Sequence, residues 1–94
     1  MSVPLSIVHD ADHFTHPDAC RIYDLALRTR HSGTVIVDLK RALDATTSAF
    51  AHLILLRRRL LKCGRDLRLA NLRGRAALIH EVNRLSLVLP LHAV

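Results

Sequence analysis

The alternation of short apolar runs with longer amphipathic segments limits the fold of this 94-residue chain more than any other feature. Residues 34–39 are β-branched and apolar up to Asp38, which predicts a central strand covered by other elements. Residues 3–8 predict a strand near a sheet edge, because Pro4 cannot donate to a ladder. Residues 66–72 alternate leucine with polar residues, which predicts a further strand.

Segments with helical periodicity separate these strands. Thr15 and Pro17 suit a helix start, and the pair at 32–33 (Ser-Gly) suits its end. Residues 49–63 give the clearest helix, because apolar side chains recur there every three or four positions before a glycine. Residues 75–85 predict a third amphipathic helix.

The resulting order is β-α-β-α-β-α-(β), with residues 87–91 as a terminal strand or a capping segment. We therefore predict an α/β fold with a central mixed β-sheet of about four strands and helices packed on it. The length suits one domain over residues 1–94. Half of the residues are apolar, which excludes intrinsic disorder.

The apolar runs and the two cysteines indicate in which cellular compartment the chain is expected. The strongly apolar run 53–56 is followed at once by three arginines, whereas a spanning helix needs about 20 apolar residues, so we expect no membrane insertion. Residues 1–12 do not resemble a secretory signal. Cys20 and Cys63, both on predicted core-facing helix positions, are too few for a disulfide scaffold. We expect a reduced, cytoplasmic protein.

The basic charge is concentrated in one half of the chain. Of the net +6, residues 1–47 carry −1 and residues 48–94 carry +7. A one-sided basic surface suits nucleic acid, anionic lipid or an acidic protein partner. No aromatic residue lies among the arginines to stack on bases, so the nucleic-acid hypothesis rests on charge alone.

Three hydroxyl residues, Thr46, Thr47 and Ser48, precede the predicted helix 49–63. Such hydroxyls commonly accept hydrogen bonds from the free N–H groups of the first turn, so capping is their simplest role. A phosphate on one of them would meet the same N–H groups and the positive end of the helix dipole. The position therefore suits either a cap or a phosphoacceptor.

From Thr34 onward the chain resembles the STAS domain, the module of bacterial anti-sigma-factor antagonists and sulfate-transporter tails. In that family a buried strand ends in Asp-Leu, and Asp-Ser-Ser-Gly then opens a helix. Thr46, Thr47 and Ala49 replace the Asp, the first Ser and the Gly, and the family's first strand has little room here. The matching positions are Val35 to Leu39, Thr46 to Ala49, Leu53 to Leu61, Gly64, Leu67 to Leu69, and Leu89-Pro90.

The resemblance implies a non-catalytic regulatory protein that binds another protein. Ser48 stands at the usual phosphoacceptor position, and Thr47 is a reserve acceptor. An anti-sigma factor with serine kinase activity, of the histidine-kinase-like ATPase class, would bind the unmodified loop and then phosphorylate it. ATP and Mg²⁺ would belong to that kinase, so we expect no cofactor in this chain.

The same resemblance and the helical periodicity predict a partner surface. Asp44, two residues before the altered signature, offers a negative charge near Thr46, Thr47 and Ser48. Leu55 falls on the polar side of the predicted helix beside Arg58, whereas Arg57 falls toward the apolar stripe. We predict that the hydroxyl residues, Asp44, Leu55 and Arg58 contact the partner.

Other functions remain open at the level of sequence. Some STAS proteins are subunits of phospholipid-transport ATPases and carry Thr at the position of Thr47, which makes such a subunit the second hypothesis. A nucleic-acid-binding accessory protein is the third. The short N-terminus could also leave an edge of the sheet unpaired, and pairing of this edge with a second copy would give a homodimer.

We expect neither an enzyme nor a metal site. The three glycines are isolated and form no phosphate-binding loop. His9, His13 and His16 would align only on a helix, and the turn composition around them argues against one.

Overall fold

The structure, a computed structural model, describes residues 4–29 and 33–92. Its strands are β1 (Leu5–Val8), β2 (His13–Phe14), β3 (Val35–Asp38), β4 (Asp44–Ala45) and β5 (Leu67–Ala70). Its helices are α1 (His16–Arg28), α2 (Thr47–Lys62) and α3 (Gly74–Val82), followed by a 3₁₀ turn at Leu85–Leu87.

The main sheet has the order β1-β3-β5, and both of its ladders are parallel. Parallel neighbours need crossover connections, which α1 and α2 provide. A single parallel bridge between Leu69 and Leu91 extends the sheet beyond β5. The predicted α/β class is confirmed, and the expected fourth strand is reduced to this bridge. In the described ranges the pairing is parallel throughout.

The register of the sheet directs one row of apolar side chains toward the helices. Alternate residues of a strand point to opposite faces, and the strands pair in step. The shared row consists of Leu5, Ile7, Val35, Val37, Leu67 and Leu69. It forms one cluster with fully buried side chains of α1 and α2, including Ala19, Ala26, Leu53 and Leu56. The core therefore lies between the sheet and the helices.

The helix boundaries differ from the predicted ones by a few residues. Thr15 is the N-cap of α1 as predicted, and α1 ends at Arg28. The predicted end at residues 32–33 is wrong, because Thr29 is already the C-cap of α1. Of that pair, residue 32 lies outside the described residues. α2 begins at Thr47 rather than at Ala49, so Ser48 lies inside its first turn. None of the described helices has the length and apolar character needed to span a membrane.

The connection from β3 to α2 contains the short strand β4. β4 pairs in parallel with β2, so that His13 lies opposite Asp44 and Phe14 opposite Ala45. The Phe14 carbonyl also accepts a hydrogen bond from the Thr46 N–H at 3.0 Å. This pairing fixes the chain immediately before α2.

The first turn of α3 holds the same connection from its other side. The Leu43 carbonyl accepts hydrogen bonds from the N–H groups of Arg75 at 2.8 Å and Ala76 at 3.3 Å. Gly74 has a φ of +60°, and a Cβ built there would lie 2.8 Å from the Leu43 oxygen. Glycine is therefore required at this position both by conformation and by close approach.

Candidate phosphoacceptor site and partner-binding face

Thr46 is the residue that caps α2. Its Oγ1 accepts a hydrogen bond from the Ala49 N–H at 3.1 Å, and its backbone is extended. The Ser48 hydroxyl lies 3.1 Å from the same Oγ1. Thr46, Thr47 and Ser48 are all exposed. Because Thr46 supplies the cap, the hydroxyls of Thr47 and Ser48 are not needed for it.

Ser48 lies on the outer face of α2, which faces away from the core. Positions three, four and seven apart share a helix face. We define the outer face as Ser48, Ala51, His52, Leu55, Arg58, Arg59 and Lys62; His52 is half-buried and the others are exposed. Leu55 is 52% exposed, as the sequence predicts. The predicted residues Ser48, Leu55 and Arg58 therefore lie on one face.

α1 borders the outer face through Tyr23, a residue that the sequence did not suggest for this site. The Arg59 guanidinium donates to the Tyr23 hydroxyl at 3.3 Å, and the Tyr23 ring lies 4.9 Å from that of His52 between centroids. Tyr23, Leu55 and the three cations line a shallow depression. An apolar, aromatic centre with cations around it suits contact with an acidic protein surface.

The Asp44 carboxylate contacts neighbouring residues of the fold. Its Oδ1 accepts a hydrogen bond from the Ala45 N–H at 2.8 Å and lies 3.4 Å from the Arg75 Nε. His13 approaches its other oxygen at 3.9 Å. The carboxylate is 41% exposed, so it presents one edge to solvent while it joins β4 to α3.

Part of the basic half is neutralised within the fold. Arg57 lies toward the core, as predicted, and its Nε donates to Asp66 at 2.8 Å, while Arg68 lies 3.4 Å from the other oxygen. Burial raises the pKa of Asp66, but the Leu67 N–H and the guanidinium groups of Arg57 and Arg68 outweigh it and lower that pKa below its usual value. Ionised Asp66 thus forms ion pairs with both arginines and partly neutralises their charge.

The prediction that both cysteines face the core is wrong for Cys63, which is exposed. Cys63 is the C-cap of α2, with φ −99° and ψ 11°, so the helical periodicity no longer describes its direction. Cys20 is half-buried, and its Sγ lies 3.4 Å from the Nε2 of His16.

The structure brings His16 together with Cys20 and His52 rather than with the other N-terminal histidines. His9 packs its ring on Phe14 and bonds the His13 carbonyl at 2.7 Å through Nε2. The only sign of the observed cluster in the sequence is the spacing of four between His16 and Cys20, which places both on one helix face.

Comparison of the chain with protein-family models, with curated proteins and with solved structures found no match.

Proposed function

We propose that this chain is a non-catalytic, cytoplasmic regulatory module of STAS type that binds an anti-sigma factor through the outer face of α2. The partner would be a serine kinase of the histidine-kinase-like ATPase class. Phosphorylation of Ser48 would end the complex. The observation that carries the proposal is the exposed Ser48 hydroxyl on the same helix face as Leu55 and Arg58.

A phosphate at Ser48 is compatible with the fold. The hydroxyl is exposed, and the cap of α2 is supplied by Thr46. N–H groups of the first turn lack intrahelical acceptors and carry the positive end of the dipole. No acidic residue occupies that turn, so no carboxylate would repel the phosphate from within it. The modified chain should therefore remain folded.

The same phosphate would change the charge of the surface that a partner contacts. It adds about −1.5 to −2 charges at pH 7. Leu55 lies seven residues further along α2, about 10 Å at 1.5 Å per residue, and Arg58 lies about 15 Å away. Because screening acts over about 8 Å at physiological salt, the phosphate would not neutralise Arg58. A partner with an interface roughly 30 Å across would nevertheless cover both positions.

The chain is the substrate in this scheme, and the kinase holds ATP and Mg²⁺. The test incubates the purified chain with the candidate anti-sigma kinase and Mg-ATP, and phosphate is located by tandem mass spectrometry. We expect one phosphate on Ser48, its loss in Ser48→Ala, and retention in the control Ser86→Ala, which removes another exposed serine. Undiminished incorporation in Ser48→Ala would remove this residue from the role; transfer to Thr47 alone would assign the reserve acceptor instead.

A subunit of a phospholipid-transport ATPase is the second candidate. The observation in its favour is the altered start of α2, where Thr47 is the first helical residue. In that case the outer face of α2 would bind an ATPase subunit without any phosphorylation. Proteins are captured from native lysate with wild type and with Leu55→Asp, and those retained by wild type alone are identified by mass spectrometry. A histidine-kinase-like ATPase supports the first candidate, and a transporter ATPase subunit supports the second.

A further inference from the structure

We propose that His16, Cys20 and His52 form a metal-binding site for Zn²⁺, built between α1 and α2 beside the outer face. The donor atoms of these three side chains all lie within 4.8 Å of one another. They come from two different helices, since His16 and Cys20 are one turn apart on α1 and His52 lies on α2.

The distances suit a tetrahedral ion after small side-chain rotations. Zinc binds imidazole nitrogen at about 2.0–2.1 Å and thiolate sulfur at about 2.3 Å, which sets tetrahedral donor atoms about 3.3–3.8 Å apart. The separation of Cys20 Sγ from His16 Nε2 is already 3.4 Å. His16 is exposed, and its ring already lies 5.0 Å from that of His52 between centroids, so only small rotations are needed to bring the three donors to these separations.

The chemistry of the donors selects the class of ion. Two imidazoles and one thiolate suit Zn²⁺, whereas Ca²⁺ and Mg²⁺ prefer oxygen ligands. The fourth position would be open to water on the exposed side, where His16 lies. Binding requires a thiolate and neutral imidazoles, so Zn²⁺ affinity should fall as the pH is lowered.

Because His52 belongs to the outer face of α2, an ion bound to it would lie at that face. The His52 ring is adjacent to those of His16 and Tyr23, with centroids 5.0 and 4.9 Å away. His52 is four residues after Ser48, one turn further along the outer face. A bound ion would link α1 to α2 next to this face and fix the position of one helix relative to the other.

The test uses the reduced full chain without any partner, so it is independent of the proposed function. Zn²⁺ is titrated by calorimetry, and Co²⁺ is added separately to follow its visible bands and its thiolate charge-transfer absorption. We expect one ion per chain, a thiolate–cobalt band in wild type, and its loss in Cys20→Ser with at least a tenfold weaker Zn²⁺ affinity. His52→Asn should weaken Zn²⁺ binding by a similar factor and keep the thiolate.

The matched controls are Cys63→Ser and His92→Asn, which remove exposed residues outside the cluster. Both should bind Zn²⁺ like wild type, and Zn²⁺ should raise the melting temperature of wild type and controls more than that of Cys20→Ser. Circular dichroism checks that each variant is folded; if Cys20→Ser is not, His16→Asn and His52→Asn take its place. Absence of the thiolate band in wild type, or its loss in Cys63→Ser, would overturn the proposal.

Discussion

Replacing Gly74 by alanine tests how tightly α3 holds the connection that leads to Ser48. Gly74 has a φ of +60°, and its new Cβ would lie 2.8 Å from the Leu43 carbonyl oxygen. That oxygen is backbone and accepts hydrogen bonds from Arg75 and Ala76, so it cannot retreat without weakening them. The expected cost therefore has a conformational part and a contact part.

A second glycine separates the two parts. Gly64 has a similar φ of +75°, but a Cβ there would meet nothing within 4 Å. A left-handed non-glycine residue costs about 1–2 kcal/mol, and the less flexible unfolded chain returns about 0.4–1 kcal/mol. Gly64→Ala should thus lower the free energy of unfolding by about 0.5–1.5 kcal/mol. Overpacking against a fixed neighbour adds about 1–3 kcal/mol, so Gly74→Ala should lower it by about 2–4 kcal/mol.

Urea unfolding followed by circular dichroism measures both variants. In a domain of this size each 1 kcal/mol corresponds to about 4–8 °C in melting temperature, so thermal melts give an independent check. The slope of the unfolding free energy against urea should be unchanged in both variants. If Gly74→Ala were no less stable than Gly64→Ala, the close approach of α3 to Leu43 would be refuted.

Three further predictions concern the cap, an ion pair and the outer face. Thr46→Ala should lower the free energy of unfolding by about 1 kcal/mol in urea, whereas Thr47→Ala should change it less, because Thr46 alone caps α2; equal losses would contradict this assignment. The lowered pKa of Asp66 means that its ionised form contributes stability above the unfolded pKa of about 4 and loses it as the pH falls through the folded value. Acid titration of stability should therefore be flatter in Asp66→Asn than in wild type, and identical curves for the two would argue against the pair. Leu55→Asp should abolish partner binding in a pull-down while the melting temperature stays within about 3 °C of wild type, because the side chain is half in solvent; retained binding would exclude the outer face.

The periodic parts of the fold could be predicted from the sequence. The apolar stripe of α2 follows from leucines three and four residues apart, and Leu53, Leu56 and Leu60 are all buried. The exposure of Leu55 follows from the same periodicity. Local chemistry also sufficed for Thr15, because a hydroxyl before a proline-containing first turn is a common helix start.

The parts that depend on long-range contacts could not be predicted. The pairing of β2 with β4 involves only two residues on each strand, too few to give an alternating pattern. The meeting of His52 with Cys20 depends on how α1 packs against α2, and no local spacing encodes it. The exposure of Cys63 does not follow from the periodicity of α2, because the chain leaves the helical path at this C-cap residue.

On the proposed function, phosphorylation of Ser48 controls binding at the outer face of α2. The most direct measurement is the calorimetric affinity of the anti-sigma kinase for the unmodified chain and for the chain phosphorylated at Ser48, at physiological salt. We predict at least a tenfold weaker affinity for the phosphorylated chain, which corresponds to about 1.4 kcal/mol. Equal or tighter binding of the phosphorylated chain would contradict the claim.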